Sequence, residues 1–251
     1  MYSEFAYVYD ALMHDVDYEK IAEYVIAIFE QEGQRADERL VLDLGCGTGN
    51  LTMQLMKRGY DMIALDASSD MLSVLADKCA DLPERPLILQ GTLTDFELYG
   101  TVDGIVCMMD TLNYLPNTAE LEKMFRLAYL YLNPGGILVF DMNTCYKLEN
   151  ILGNHVFYEI GDTVSYIWQN HYDNEAKKCQ FDLTFFVKEE ANDERYRKFE
   201  ETQWEFGYEN EEITIILQEC GFQKSKVYEM FTFAFPKETC DRCCFVAVKP
   251  R

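Results

Sequence analysis

The stretch Val41-Leu42-Asp43-Leu44-Gly45-Cys46-Gly47-Thr48-Gly49-Asn50 constrains this chain more than any other. Leu40 to Leu44 is a short apolar run interrupted by one carboxylate, which suits a buried parallel strand, and the glycines after it end the run abruptly. Leu51, Leu55 and Met56 then recur at helical spacing. The predicted unit is strand, glycine loop, helix. Glycines belong where a ligand must approach the backbone closely, and a side chain at Gly45 or Gly47 would block it or forbid the required φ. Free N–H groups at the N-terminus of the following helix favour a negative or polar ligand group.

Several cofactor-binding folds use such a loop, so its details decide. The dinucleotide fingerprint wants a third Gly or Ala three residues after its second glycine. Here that position is Asn50, and the glycine comes one residue early, at Gly49. Asp43 stands two residues ahead of Gly45, and Asp66 follows Gly49 by seventeen residues at the end of Met62-Ile63-Ala64-Leu65.

With these features, Asp43-Leu-Gly-Cys-Gly-Thr-Gly resembles the glycine motif of class I S-adenosylmethionine (SAM) dependent methyltransferases, and small bacterial proteins with methyltransferase domain 25 in particular. The resemblance implies SAM as cofactor, S-adenosylhomocysteine as product, and Asp66 as the acid that binds the cofactor ribose. It places Gly45, Cys46, Gly47 and Gly49 against the methionine part, with Asp43 helping to hold the amino group. Ala67 and Met71, next to Asp66, join the expected cofactor contacts. Asp95-Phe96 resembles the motif that holds the adenine, although a solvated loop acid is the competing reading of Asp95. Tyr9-Asp10-Ala-Leu12-Met13 resembles an N-terminal segment of the same enzymes, which makes Tyr9 a candidate to fold over the cofactor, the other reading being a cap on the core. Asp110 is expected near the methyl group or the cofactor amine.

Along the chain, helices are expected over Asp17–Gln31, from the glycine loop to Lys57, and over Ser68–Lys78, Thr118–Leu130 and Glu211–Glu219. Strands are expected at Met62–Leu65, Leu87–Gln90, Val102–Met108, Ile137–Asp141, Val227–Phe233 and Cys244–Val248. Strands alternating with helices imply a parallel sheet covered on both faces. The resemblance implies a Rossmann-like α/β fold, seven-stranded and doubly wound, with the last strand antiparallel. Asn133-Pro134-Gly135-Gly136 before an apolar strand is a further methyltransferase-like landmark.

From about His155 to Tyr208 the texture changes to partial period-two alternation, with polar turns at Asp173-Asn174-Glu175 and from Glu190 to Glu194. This predicts an inserted antiparallel meander. The expected division is 1–154 with 209–251 as the SAM-binding part, and 155–208 as a β insertion serving as lid, substrate contact or dimer contact. Tyr114, Trp168, Tyr172 and Trp204 are substrate candidates, while His171 and Asp110 are the catalytic ones. Core packing and cross-strand pairing compete for each of the rings, and an ordinary polar strand position competes for His171.

The formal net charge of −22 argues against a phosphate-backbone partner, which needs a positive footprint. A small neutral or cationic acceptor, methylated on O or N, fits better, and a monomer or homodimer is expected. The first residues lack a basic region before an apolar run, and no stretch approaches the roughly 18 apolar residues of a membrane span. A cytoplasmic protein is expected. Nine cysteines scattered through predicted elements read as reduced thiols. Cys240-Asp-Arg-Cys243-Cys244 has the spacing of half a zinc site but lacks a second closely spaced pair, so no metal is expected. A non-catalytic SAM-binding module is the alternative reading, followed by a nicotinamide-dependent oxidoreductase, which Asn50 and the Pro-Gly-Gly strand disfavour.

Overall fold

The structure, a computed structural model, describes residues 3–33, 39–188 and 195–251. Met1, Tyr2 and the expected polar turn at 190–194 lie outside the described residues. Five strands form the parallel part: β1 (Leu40–Leu44), β2 (Asp61–Asp66), β3 (Leu87–Gln90), β4 (Val102–Cys107) and β5 (Leu132–Asn143). With β10 (Lys224–Glu229) and β11 (Arg242–Val248) they build one seven-stranded sheet in the order β10-β11-β5-β4-β1-β2-β3. The final strand β11 runs antiparallel to both of its neighbours, β5 and β10.

Apolar residues alternate between two cores because successive side chains on a strand point to opposite faces. In β5, Leu138 and Phe140 join one core, whereas Ile137 and Val139 join the other. Both faces are covered, so the strands read as continuous apolar runs. Helices α2 (Tyr18–Gln31) and α3 (Asn50–Met56) pack on one face, and α5 (Thr118–Tyr131) and α6 (Asn210–Glu219) on the other. Helix α4 (Ser69–Lys78) covers β2 and β3 through Leu72 and Leu75. Local capping sets the helix starts: Asp17 accepts from Lys20 N at 2.9 Å, and Asn117 from Glu120 N at 3.1 Å.

Four further strands, β6 (Val156–Ile160), β7 (Val164–Asp173), β8 (Lys178–Lys188) and β9 (Tyr196–Phe206), form a separate antiparallel sheet in sequence order. A π-helical turn, Lys147–Leu152, leads into it from β5.

Two stretches differ from expectation. The aromatic segment before α2 is itself a helix, α1 (Ser3–Leu12). Strand β10 begins earlier than expected and stops at Glu229, because the chain turns at Met230–Phe233: Phe231 has φ 63° and Glu229 N donates to Ala234 O. Among the described residues, no helix is long and apolar enough to cross a membrane.

Candidate active site

The connections from β1 to β3 step away from β1 on one side, and β4 returns on its other side, so a crevice opens beyond the carboxyl ends of β1 and β4. A cavity of about 630 Å³ occupies this place, between the main sheet and the β7–β9 sheet. Helix α1 borders it as well, through Phe5 and Tyr9.

The glycine loop is tied to the end of β2. Gly45 N and Cys46 N both donate to Leu65 O, at 2.7 and 3.0 Å. Asp66 accepts Gly47 N at 2.9 Å on Oδ2 and Ser68 N at 2.8 Å on Oδ1. Each oxygen keeps a second lone pair for a ligand. Gly47 has φ +54°, and a Cβ added there would meet no protein atom within 4 Å. The loop is therefore a bare backbone cradle open to an incoming group, as a nucleoside-bearing cofactor requires.

Asp43 lies beneath the loop, almost fully buried, accepting Thr52 Oγ1 at 2.5 Å. Burial pushes its carboxyl up to about 7, against the opposing hydrogen bond from Thr52. Desolvation likewise pushes the Cys46 thiol up, which leaves it neutral.

Helix α1 is fastened over the cradle by Asp10. Its carboxylate accepts Thr48 Oγ1 at 2.7 Å, Asn50 Nδ2 at 2.9 Å and Lys78 Nζ at 2.6 Å. Burial acts to raise the Asp10 pKa, but these hydrogen bonds, led by Lys78, outweigh it and hold it low. At its other end α1 reaches the second sheet, where the Phe5 ring lies 5.5 Å from Phe185. Tyr9 faces the cavity and hydrogen-bonds Tyr18, and desolvation raises its phenol well above the usual value.

The opposite end of the cavity is polar at its base and aromatic above. Met109 and Asp110 follow β4 with φ 65° and 52°, a left-handed conformation that non-glycine residues hold only when neighbours enforce it. The enforcing contacts are Asp110 N to Asp141 Oδ1 at 3.2 Å and Thr111 Oγ1 to Met108 O at 2.8 Å. Arg242 forks between the Asp110 and Asp141 carboxylates. Burial acts to raise Asp110, but the Arg242 guanidinium overcomes it and holds the group low.

Glu205 of β9 descends onto this cluster, almost fully buried. It accepts Asn143 Nδ2 at 2.7 Å on Oε2 and lies beside the Asp110 carboxyl. Burial and then the Asp110 charge raise the Glu205 pKa well above the carboxylate range. Lys147 donates to Asn143 Oδ1 at 2.8 Å, and desolvation followed by the Arg242 charge lowers its pKa.

Of the residues expected from sequence, Tyr9, Asp43, Gly45, Cys46, Gly47, Asp66, Ala67, Met71, Asp110, Tyr114 and Trp168 line the cavity. Gly49 stands behind the lining, where its φ of +77° caps α3 and an added Cβ would lie 2.2 Å from Leu75 Cδ1. Asp95 is exposed and held in a backbone bridge with Thr92, so Gly91 and Leu93 take the lining position instead. Phe96 is core, packed on Tyr131 at 5.5 Å. Tyr172 packs with Leu148, Leu152 and Cys179.

His171 and Trp204 are corrected by strand parity. The register pairs Phe181 with Asn170 and Gln203, and Cys179 with Tyr172 and Glu205, and these pairs face the core side. His171 pairs with Gln180, and Gln180 with Trp204, on the opposite face. There His171 Nε2 lies 3.7 Å from the Asp182 carboxylate, and Trp204 Nε1 donates to Gln180 Oε1 at 3.3 Å.

Sequence reasoning missed Asp10, Tyr18, Lys147, Glu205 and Arg242. Arg242 sat within a segment read for its cysteines. All nine cysteines are free thiols, and Cys240 and Cys243 place their Sγ atoms 4.0 Å apart. Among the described residues, no group of three or more His, Cys, Asp or Glu is arranged to hold a metal ion.

A family profile described as a methyltransferase domain matches residues 41–136. The chain is 32% identical over 248 residues to a protein of Geobacillus sp. (strain WCH70) provisionally named a methyltransferase, covering 99% of each. It is 31% identical over 252 residues to the similarly named YqeM of Bacillus subtilis (strain 168), covering 100% of this chain and 98% of that one. A solved S-adenosylmethionine-dependent methyltransferase from Clostridium acetobutylicum ATCC 824 superposes with a TM-score of 0.88 at 29% identity, over 100% of this chain and 99% of that chain. A glycine loop open beside Asp66, on a seven-stranded sheet with its last strand reversed, agrees with these likenesses across the full length: the chain belongs to the class I SAM-dependent methyltransferases.

Proposed function

We propose that this protein transfers the methyl group of SAM to an oxygen or nitrogen of a small-molecule acceptor held beneath the β7–β9 sheet. The observation that carries this reading is a single cavity with two unlike ends. Gly47, Asp66 and Ser68 line one, while Trp168, Phe181 and Glu205 line the other. In this reading Asp66 accepts the ribose hydroxyls. The glycine loop, with Cys46, Ala67 and Met71, lies along the nucleoside and methionine parts, Asp43 faces the amino group, and Asp110 stands near the methyl group. Tyr9 covers them from α1. Tyr114 and Trp168 contact the acceptor, and residues 155–208 act as the acceptor-binding insertion.

SAM supplies a methyl carbon bonded to a sulfonium, whose sulfur leaves with the bonding pair. The protein's own task is positional: the acceptor atom must be held about 3 to 3.5 Å from that carbon, in line with the breaking bond. Helix α1 serves this by spanning from the glycine loop to Phe185, which walls one side of the cavity. The net charge of −22 favours a neutral or cationic small molecule over a nucleic acid.

Calorimetric titration with SAM and S-adenosylhomocysteine tests the cofactor end. Both are expected to bind at one site, with NADH giving no signal. Failure of both to bind removes the reading.

A further inference from the structure

The acceptor end of the cavity holds one carboxyl more than its cations match. Asp110, Asp141 and Glu205 meet Arg242 and Lys147 there. Arg242 takes two of the carboxylates in its fork, and Lys147 reaches the neutral Asn143 Oδ1. Glu205 is the remainder. Burial, with the Asp110 charge beside it, raises the Glu205 pKa well above the carboxylate range. Arg242 is engaged by Asp110 and Asp141 and Lys147 by Asn143, so the proton of the cluster sits on Glu205. The groups facing Glu205 are Asp110 after β4, Asn143 at the end of β5, Lys147 on the π-helical turn and the Cys179 thiol of β8. With Glu205 neutral the cluster is balanced; an entering cation is what would let it ionise.

The surrounding wall suits such a cation. Tyr166, Trp168, Phe181 and Phe185 line the same cavity, and ring faces attract positive charge. The Trp168 indole N–H is buried without a hydrogen-bond partner among the described residues, which leaves a donor for an oxygen elsewhere on the same ligand. Glu205 arrives from the second sheet, on β9, whereas the cofactor end is built from the loops after β1 and β2. The spare carboxyl therefore belongs to the acceptor.

Resting on the methyltransferase reading, we propose that the acceptor is a primary or secondary amine that enters as its ammonium ion and gives up a proton to Glu205, which Asn143 holds in position. On entry the ammonium displaces the proton of Glu205 to solvent and pairs with the carboxylate. One N–H bond then breaks, its electron pair staying on nitrogen and its proton passing to Glu205. The nitrogen pair forms the new N–C bond as the C–S bond breaks, with that pair remaining on sulfur. The methylated ammonium carries away the positive charge, and the Glu205 carboxyl is left protonated, as it began. An alcohol acceptor gains little from such a carboxylate, because a hydroxyl is far too weak an acid to match it.

The test uses the whole chain loaded with S-adenosylhomocysteine and three matched probe pairs: benzylamine with benzyl alcohol, 2-phenylethylamine with 2-phenylethanol, and cyclohexylamine with cyclohexanol. Calorimetry at pH 7 in buffers of differing ionisation enthalpy gives both affinity and proton release. Amines are expected to bind about ten-fold or more tighter than their alcohols, with release of about one proton per amine bound. Glu205→Gln is an isostere of the protonated carboxyl and can still accept from Asn143, so it preserves the packing. It is expected to abolish proton release and the amine preference, to lower amine methylation with SAM by about 100-fold, and to leave S-adenosylhomocysteine affinity within about two-fold. Equal binding or non-binding of amines and alcohols to the wild-type protein, or proton release that survives in Glu205→Gln, overturns the proposal. Failure of S-adenosylhomocysteine to bind the wild-type chain would instead remove the methyltransferase reading beneath it.

Discussion

The backbone N–H of Gly47 donates to Oδ2 of Asp66 at 2.9 Å, so the glycine loop and the end of β2 form one hydrogen-bonded surface. Asp66→Asn should damage both fold and binding. An asparagine offers a single acceptor oxygen, and its NH₂ would confront one of the two N–H donors, from Gly47 or Ser68. The expected loss is about 1 to 3 kcal/mol of stability, read by thermal unfolding, with a fall of about ten-fold or more in S-adenosylhomocysteine affinity, read by calorimetry.

Asp10→Ala should loosen α1 while leaving the sheet intact. The change deletes the acceptor for Thr48, Asn50 and Lys78 at one stroke. Because Asp10 is partly exposed, solvent screening limits the loss to about 1 to 2 kcal/mol. Hydrogen exchange over residues 3–12 should quicken more than elsewhere, and unchanged exchange there would contradict the fastening described.

Two alanine substitutions in the same loop should separate packing from ligand access. Gly49→Ala combines positive φ with a Cβ 2.2 Å from Leu75 Cδ1, so a loss of about 2 to 4 kcal/mol is expected in urea unfolding. Gly47→Ala meets no protein atom and carries only the backbone strain, about 1 kcal/mol. Its larger effect should fall on S-adenosylhomocysteine binding.

Asp43 should make the ligand-free protein less stable as pH rises. Burial lifts its carboxyl from 3.8 to about 7, so across that window the folded state binds more protons than the unfolded state. Stability therefore declines from about pH 4 to pH 7 and levels off above, by of order 4 kcal/mol in total from this group. Asp43→Asn removes the ionisation and retains an acceptor for the Thr52 hydroxyl. The melting temperature of the variant relative to wild type should rise between pH 4.5 and pH 8, and a constant difference would refute the assignment.

Arg242→Met should be severe, because it strands the buried Asp110 and Asp141 carboxylates without their shared partner. A loss of about 3 to 5 kcal/mol is expected. Thermal unfolding at neutral pH measures it, and acidification toward pH 5 should recover part of the loss as the carboxyls take up protons.

The parallel core was legible because both of its faces are buried. Leu40–Leu44 and Met62–Leu65 are near-continuous apolar runs that periodicity finds readily. Asp66 and the glycine loop were legible for a different reason, since local backbone chemistry fixes their spacing. The acceptor end was not. Its residues come from β5, the π-helical turn, β9 and β11, and no sequence spacing announces that they meet. Glu205 was overlooked because its neighbour Trp204 drew attention, and on a strand to choose one as inward is to choose the other as outward. The alternation Phe199, Gln203, Glu205, set against Phe185, Phe181 and Cys179, would have given the correct parity once the register was known.

Strand β11 is the last of the sheet to be synthesised, yet it lies inside the sheet, between β5 and β10. It also brings Arg242 to two carboxylates that strands made earlier leave facing one another. A nascent chain lacking this strand has a split sheet and an uncompensated pair of acids at its catalytic end. Insertion of β11 between β5 and β10 and pairing of the two acids with Arg242 are thus one event, so sheet closure and charge compensation form together.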